Sequence, residues 1–430
     1  MKNLLLTLLV LFPTLIFSQT KSTQNHPALT TGTPESAGMS SERLANIDRI
    51  CHEAIEAGDV PGMVVLVARK GKIVYHKAFG ESDVKEGKKF QTNDIFRIAS
   101  QTKAITSTAV MMLWEEGHFR LDDPISKWIP EFKNPRVLTR FNYSDTTYAS
   151  EPAKREITIR HLLTHTSGIG YGPIDRDESF QILYAQAGIE AMTSMNGLTT
   201  KENIINLAKM PLHFHPGDEY SYSMSLDVLG YFVEIISGMP FDQFLKTRIF
   251  DPLGMKDTYF YLPGDKGSRL IALQVPGESG WMPMERVGNT DSNFPITGSK
   301  TLFAGGGGLS STTSDYATFL QMYLNGGELN GVRLLSRTTI QSMMGNQIGD
   351  LWGDRGSYHG LGFEVVDAKG QDQGGRGSTG TFSWGGAFNT QYFADPEEEI
   401  IGLIFKQTLG QRSDKTNWQF KQIVFSSVDD

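Results

Sequence analysis

Apolar and polar positions divide the chain into three textures. From Ser40, "SSERLANIDRICHEAIEAG" sets Leu44, Ile47, Ile50, Cys51 and Ile55 at helical spacing, with Ser40 or Ser41 as N-cap and Gly58 as the stop. "GMVVLVARKGKIVYHKAFG" predicts two strands joined at "RKGK", and "DIFRIASQTKAITSTAVMMLWEEGH" turns from extended to helical, ending near Gly117. The middle is helical and loop-rich, with "REITIRHLLTHTSGIGYG", "TKENIINLAKM" and "SLDVLGYFVEIISG" leading into "FDQFLKTRIF". Beyond residue 290 a Gly-rich turn and helix, "FAGGGGLSSTTSDYATFLQMYLNGG", precede strand-like "YHGLGFEVVDAKG", "GTFSWGGAFNTQYFADP" and "EIIGLIFKQT"; a last helix is predicted from Asn417 to Phe425. Strands at both ends with helices between predict an α+β fold, an α/β sandwich whose antiparallel sheet is flanked by helices and carries an inserted helical domain. The expected division is a discontinuous α/β domain of residues 38–98 and 296–430, with a mainly helical domain at 99–295.

Ahead of these elements, Met1-Lys2-Asn3 and the apolar run "LLLTLLVLFPTLIF" end at Ser18. The run is shorter than the roughly 20 apolar residues of a spanning helix, and Pro13 interrupts it. It reads as a signal peptide at 1–18, cleaved between Ser18 and Gln19, followed by a polar leader at 19–37. Export to the periplasm or the medium is expected, with no membrane association of the mature form. A formal net charge of −8 disfavours nucleic acid or an anionic membrane as partner. Cys51 is the only cysteine, so no intramolecular disulfide can form and stability rests on a conventional core.

Ser-x-x-Lys occurs at Ser18–Lys21, Ser82–Lys85 and Ser100–Lys103. The third copy opens an apolar helix, where residues i and i+3 share a face and the unpaired N–H groups of the first turn can support an oxyanion. Burial lowers a lysine pKa, so a neutral Lys103 could take the Ser100 proton. Taken alone, the segment reads sooner as an N-cap serine with a lysine reaching to water; further features reverse the order. Tyr222 in "FHPGDEYSYSMSLDVLG" adds a phenol able to pass protons, and Gly385-Gly386 mark a strand position that a ligand could approach closely. "RHLLTHTSGI" and "AGGGGLSSTTSDYATFL" read as structural turns.

With these motifs in this order, the chain from residue 36 onward resembles the superfamily of serine β-lactamases, penicillin-binding proteins and family VIII carboxylesterases. The resemblance is closest to class C β-lactamases and the esterases built on their fold. It implies a β-lactamase/transpeptidase-like fold, with Ser100 as acylated nucleophile, Lys103 as its paired base and Tyr222 as the tyrosine of the Tyr-x-Asn motif. Trp384-Gly385-Gly386 falls where the lactamases carry Lys-Thr-Gly, and the oxyanion hole would be the backbone N–H groups of Ser100 and Ala387. Two departures matter: Met224 replaces the asparagine and Trp384 the lysine, side chains with which the lactamases bind the substrate amide and carboxylate. Trp384, Gly385, Gly386 and Met224 are therefore expected to form a substrate subsite of apolar character.

The function so implied is an exported serine hydrolase cleaving carboxylic esters through a Ser-Lys-Tyr acyl-enzyme, with no cofactor. A β-lactamase or D-amino-acid peptidase or amidase of the same fold is the first alternative, and a non-catalytic peptidoglycan-binding or scaffold protein the second. Metal readings are weak: His52-Glu53 lacks a second histidine at Glu56, and His161 and His165 are i, i+4 without a third ligand nearby. His213 and His215 could line a cleft. No Gly-x-Ser-x-Gly elbow is present, which argues against an α/β-hydrolase.

Overall fold

Lys70 and Gly71 both adopt positive φ, 50° and 73°. A two-residue hairpin of this kind matches the right-handed twist of the strands it joins. It links β2 (Gly62–Arg69) to β3 (Lys72–Asp83) in a nine-stranded sheet. The computed structural model describes residues 21–430 apart from 289, 411 and 412. The remaining strands of the sheet are β1 (Thr30–Thr31), β4 (Lys88–Lys89), β5 (Ser357–His359), β6 (Glu364–Val366), β7 (Phe382–Gly386), β8 (Thr390–Asp395) and β9 (Ile400–Phe405). Their order is β1-β3-β2-β9-β8-β7-β6-β5, with β4 pairing β3. Every pairing is antiparallel except β1 with β3. The sheet is thus assembled from both ends of the chain, as expected: Ile400–Phe405 lie directly against Arg69–Val64.

β2 is buried along its whole length, which explains why it reads as a continuous apolar run rather than an alternation. Met63, Val65 and Val67 pack with Ile47, Ile50 and Cys51 of α1 (Asn46–Glu56) and with Phe420 and Val424 of the C-terminal helix, Thr416–Ser426. On the other face Val64, Leu66 and Ala68 join the larger core with α2 (Thr102–Glu115), α3 (Ser225–Ser237) and α4 (Thr313–Leu324). The predicted first helix breaks at Ala45, and Ser40 caps its opening turn by accepting from the Arg43 N–H.

Three readings change. "TFSWGGAFNTQYFADP" is two strands, β7 and β8, turning at residues 387–389, so Gly385-Gly386 end a strand instead of interrupting one. The polar leader is partly built into the fold: Thr30–Thr31 add a strand to β3, and the His26 N–H donates to Glu328 Oε2 at 3.1 Å. The 99–295 region carries antiparallel hairpins at 136–152 and 274–283 among its helices. Signal peptide and cleavage point lie outside the described residues; among those described, no helix is long and apolar enough to cross a membrane.

Candidate active site

Ser100 owes its position to the strain and anchoring of the residues before it. Phe96–Arg97 pair with Ser310–Ser311. Arg97 is fully buried and donates to the carbonyls of Ser292 and Ile271 at 2.6 and 2.8 Å, while the Gln407 side chain accepts its N–H at 2.7 Å. Burial pushes its guanidinium down to about 9, with Asp291 opposing. Ala99 then takes a positive φ of 43°, a strained conformation for a non-glycine residue. The chain turns through Ala99–Gln101 into α2, leaving Ser100 partly exposed at the helix mouth.

One turn along α2, Lys103 is 2% exposed. Its Nζ donates to the Gly306 carbonyl at 2.6 Å, to the Tyr171 hydroxyl at 2.9 Å and to Ser100 Oγ at 3.4 Å. Three acceptors around one nitrogen satisfy an ammonium. The expectation that burial leaves Lys103 neutral needs correction. Burial does favour the neutral amine, but Tyr171, Tyr222 and the Asp227 carboxylate outweigh it, and the net direction of the pKa is up.

Tyr222 joins Ser100 and Lys103, but through its ring. Lys103 Nζ stands 4.5 Å from the Tyr222 ring centroid, and Tyr222 stacks on Tyr171 with centroids 5.2 Å apart. The Tyr222 hydroxyl accepts from Trp384 Nε1 at 3.4 Å. The residue after it joins a buried chain of side chains: His165 Nδ1 to Ser223 Oγ at 2.9 Å, Ser223 to Ser225 at 2.8 Å, and Ser225 to Ser167 at 2.8 Å. His165 stays neutral, since burial and then His359 and Lys103 hold it well below its ordinary range. "HTSG" and "YSYSMS", read from sequence as turns and loop, are therefore two halves of one support.

The glycine-rich turn also enters the site. Cβ atoms at Gly305 and Gly306 would lie 2.3 Å from the Leu226 carbonyl and 2.4 Å from Asp227 Oδ2, so only glycine admits the approach that brings the Gly306 carbonyl to Lys103. At the end of β7 a Cβ on Gly386 would meet the Ile98 carbonyl at 2.4 Å. That contact brings the end of β7 against the turn that carries Ser100. Trp384 faces the cleft, in an aromatic wall with Trp352 and His359 at 6.4 and 5.6 Å between centroids.

Met224 does not belong to the site surface. It is fully buried in the main core, its N–H bonded to the Gly170 carbonyl, so its side chain offers nothing to a substrate. Sequence reasoning missed Tyr171, the Gly306 carbonyl, Asp227 and Arg97. Arg97 alone left a signal, a cation inside the apolar "DIFRIA". Of the histidines set aside as ligands, His161 closes a helix capping box with Thr158 and His165 bonds Ser223; His213, expected at a cleft, bonds Asp175, which in turn accepts the Tyr171 N–H at 2.8 Å. Among the described residues no three His, Cys, Asp or Glu side chains converge as a metal site.

A family model described as Beta-lactamase matches residues 47–424. The chain is 34% identical to Protein Rv1367c of Mycobacterium tuberculosis (strain ATCC 25618 / H37Rv) over 381 residues, covering 84% of this chain and 88% of that protein. It is 31% identical to Esterase EstB of Burkholderia gladioli over 383 residues, covering 85% and 90%. Among solved structures, EstCE1, a hydrolase with promiscuous acyltransferase activity, superposes with a TM-score of 0.75 at 25% identity over 89% of this chain and 99% of that one. With its β-lactamase/transpeptidase-like fold and its esterase relatives, the chain belongs to the beta-lactamase family of serine hydrolases.

Proposed function

We propose that this protein is a carboxylesterase working through an acyl-enzyme on Ser100. The observation that carries the reading is the buried Lys103 Nζ, shared between Tyr171 and Ser100 Oγ with the Tyr222 ring against it. Loss of one proton from this group leaves a base beside Ser100. The base takes the hydroxyl proton as Oγ bonds to the ester carbonyl carbon and the π pair moves onto oxygen. The Ser100 and Ala387 N–H groups are the natural donors to that oxyanion. Collapse breaks the bond to the alcohol, which departs with a proton returned from the group, and water repeats the cycle to release the acid. Tyr222 suits the return step: an indole N–H can only donate, so Trp384 engages the phenol oxygen and leaves its proton for the leaving group.

Trp384 favours esters over β-lactams. Where a lactamase would place a cation for the substrate carboxylate, this site presents an indole, and the similarity to Esterase EstB supports the same preference. Short-chain acyl esters with apolar groups are the proposed substrates. The apolar run before Ser18 supports export of the enzyme. The reading is tested on a panel of p-nitrophenyl esters, a cephalosporin and D-amino-acid amides. Ester turnover should dominate; efficient nitrocefin hydrolysis with poor ester turnover would reverse the order in favour of a β-lactamase.

The two tyrosines make separate predictions. Tyr222→Phe is expected to lower kcat by about 10²-fold with KM little changed, the lower scale for a proton-transfer group. Tyr171→Phe removes a Lys103 acceptor but no proposed proton donor, and is expected to cost less. Steady-state kinetics of both variants decide: a neutral Tyr222→Phe beside an inactive Tyr171→Phe would move the proton route to Tyr171.

A further inference from the structure

Asp227 brings a carboxylate into the core with too few partners. It lies in the first turn of α3, is 3% exposed, and accepts one hydrogen bond through Oδ1, from the Gly306 N–H at 3.1 Å. Oδ2 has no hydrogen-bond partner among the described residues. Buried carboxylates are ordinarily paired or bonded several times over, because desolvating the charge is costly. The same glycine passes its carbonyl to Lys103 Nζ, so Asp227 and Lys103 grip one residue from opposite sides. The titratable groups that interact with Asp227 are Lys103 from α2 and Tyr171 from the loop after "HTSG"; Tyr222 faces Lys103 instead, and the Gly305–Gly308 turn contributes none.

We infer that Asp227 is a positioning residue that fixes the Gly306 carbonyl against Lys103 and whose negative charge holds Lys103 as an ammonium, thereby setting the pH above which the Lys103–tyrosine group becomes a base. This rests on the esterase reading for its kinetic consequence, and on the geometry alone for its charge. Asp227 strengthens proton binding at both Lys103 and Tyr171, whose phenol burial has already pushed up to about 12. Burial also pushes the Asp227 carboxyl itself up to about 6, against the pull of Lys103.

Asp227→Asn keeps the size and the acceptor for Gly306 while deleting the charge. On a p-nitrophenyl ester, the rising alkaline limb of kcat/KM should move to lower pH by about one unit, tenfold in proton affinity, and Asp227→Glu should restore it toward wild type. A uniform loss at every pH with the limb in place would reduce Asp227 to packing and overturn the inference. Thermal unfolding against pH gives an arm independent of turnover. A carboxyl whose folded pKa exceeds its unfolded value loses stability as pH rises through that window, here from the ordinary aspartate range to about 6. Asp227→Asn should therefore melt higher than wild type above this window, with the gain shrinking below it. A difference in melting temperature independent of pH would show that no charge is buried there. An enzyme inactive on all esters would fail the functional reading while the melting arm still decides the charge.

Discussion

Ser100→Ala is expected to remove ester turnover, by about 10⁴-fold or more, with the fold unchanged. The scale is that of losing a nucleophile whose partners act as a unit, leaving only binding and the oxyanion donors. The fold should tolerate the change because the Ser100 hydroxyl is partly exposed and has one long hydrogen bond, from Lys103. The strain at Ala99 and the anchors of Arg97 remain, so the turn keeps its shape. A fluorophosphonate should label wild type and not the variant, and circular dichroism should superpose. This also separates an enzyme from a scaffold or peptidoglycan-binding module, which has no use for an activated serine. Full activity in Ser100→Ala would end the proposed chemistry altogether.

Lys103→Ala should cost at least about 10²-fold in kcat/KM, and unlike Ser100→Ala it should also loosen the fold. Removing the ammonium leaves the Gly306 carbonyl and Tyr171 hydroxyl short of a donor and Asp227 without its nearest positive charge. Leaving a buried polar group without its partner costs about 1–3 kcal/mol. Lys103→Arg should not rescue activity, since a guanidinium keeps its proton and its planar fork cannot meet the same three acceptors. Kinetics and thermal unfolding on the same samples check both effects. A stable, fully active Lys103→Ala would relocate the base.

Local rules recovered what is local. The Lys70-Gly71 turn, the capped first helix and the apolar β2 run follow from propensity and periodicity, and Ser100 with Lys103 from a spacing of three. The family motifs added Tyr222 and Trp384-Gly385-Gly386. What escaped was every group arriving from far along the chain. Gly306, 203 residues from Lys103, looked like a turn, and it is a turn that also offers a carbonyl. Asp227 carries no sequence signal of its role, since an acid in the first turn of a helix is favoured by the dipole alone. The sign of the Lys103 pKa was misjudged for the same reason: burial was foreseeable, but the two phenols and the carboxylate that reverse it were not. Met224 was placed by its motif position, whereas its side chain is decided by the core beneath.

The pairing of β2 with β9 has a consequence for how the enzyme comes into being. The strand of residues 62–69 gains its central neighbour only from residues 400–405, and β7, which carries Trp384, reaches the sheet through β8 and β9. A nascent chain can form α2 and present Ser100 long before it can build the wall opposite. Contacts this distant in sequence make folding slow, so the strand carrying Trp384 is joined to β2 only once residues 400–405 have been made. A chain stopped short of residue 400 carries Ser100, Lys103 and Tyr222 in full but lacks the strand that ties β8 and β7 to β2.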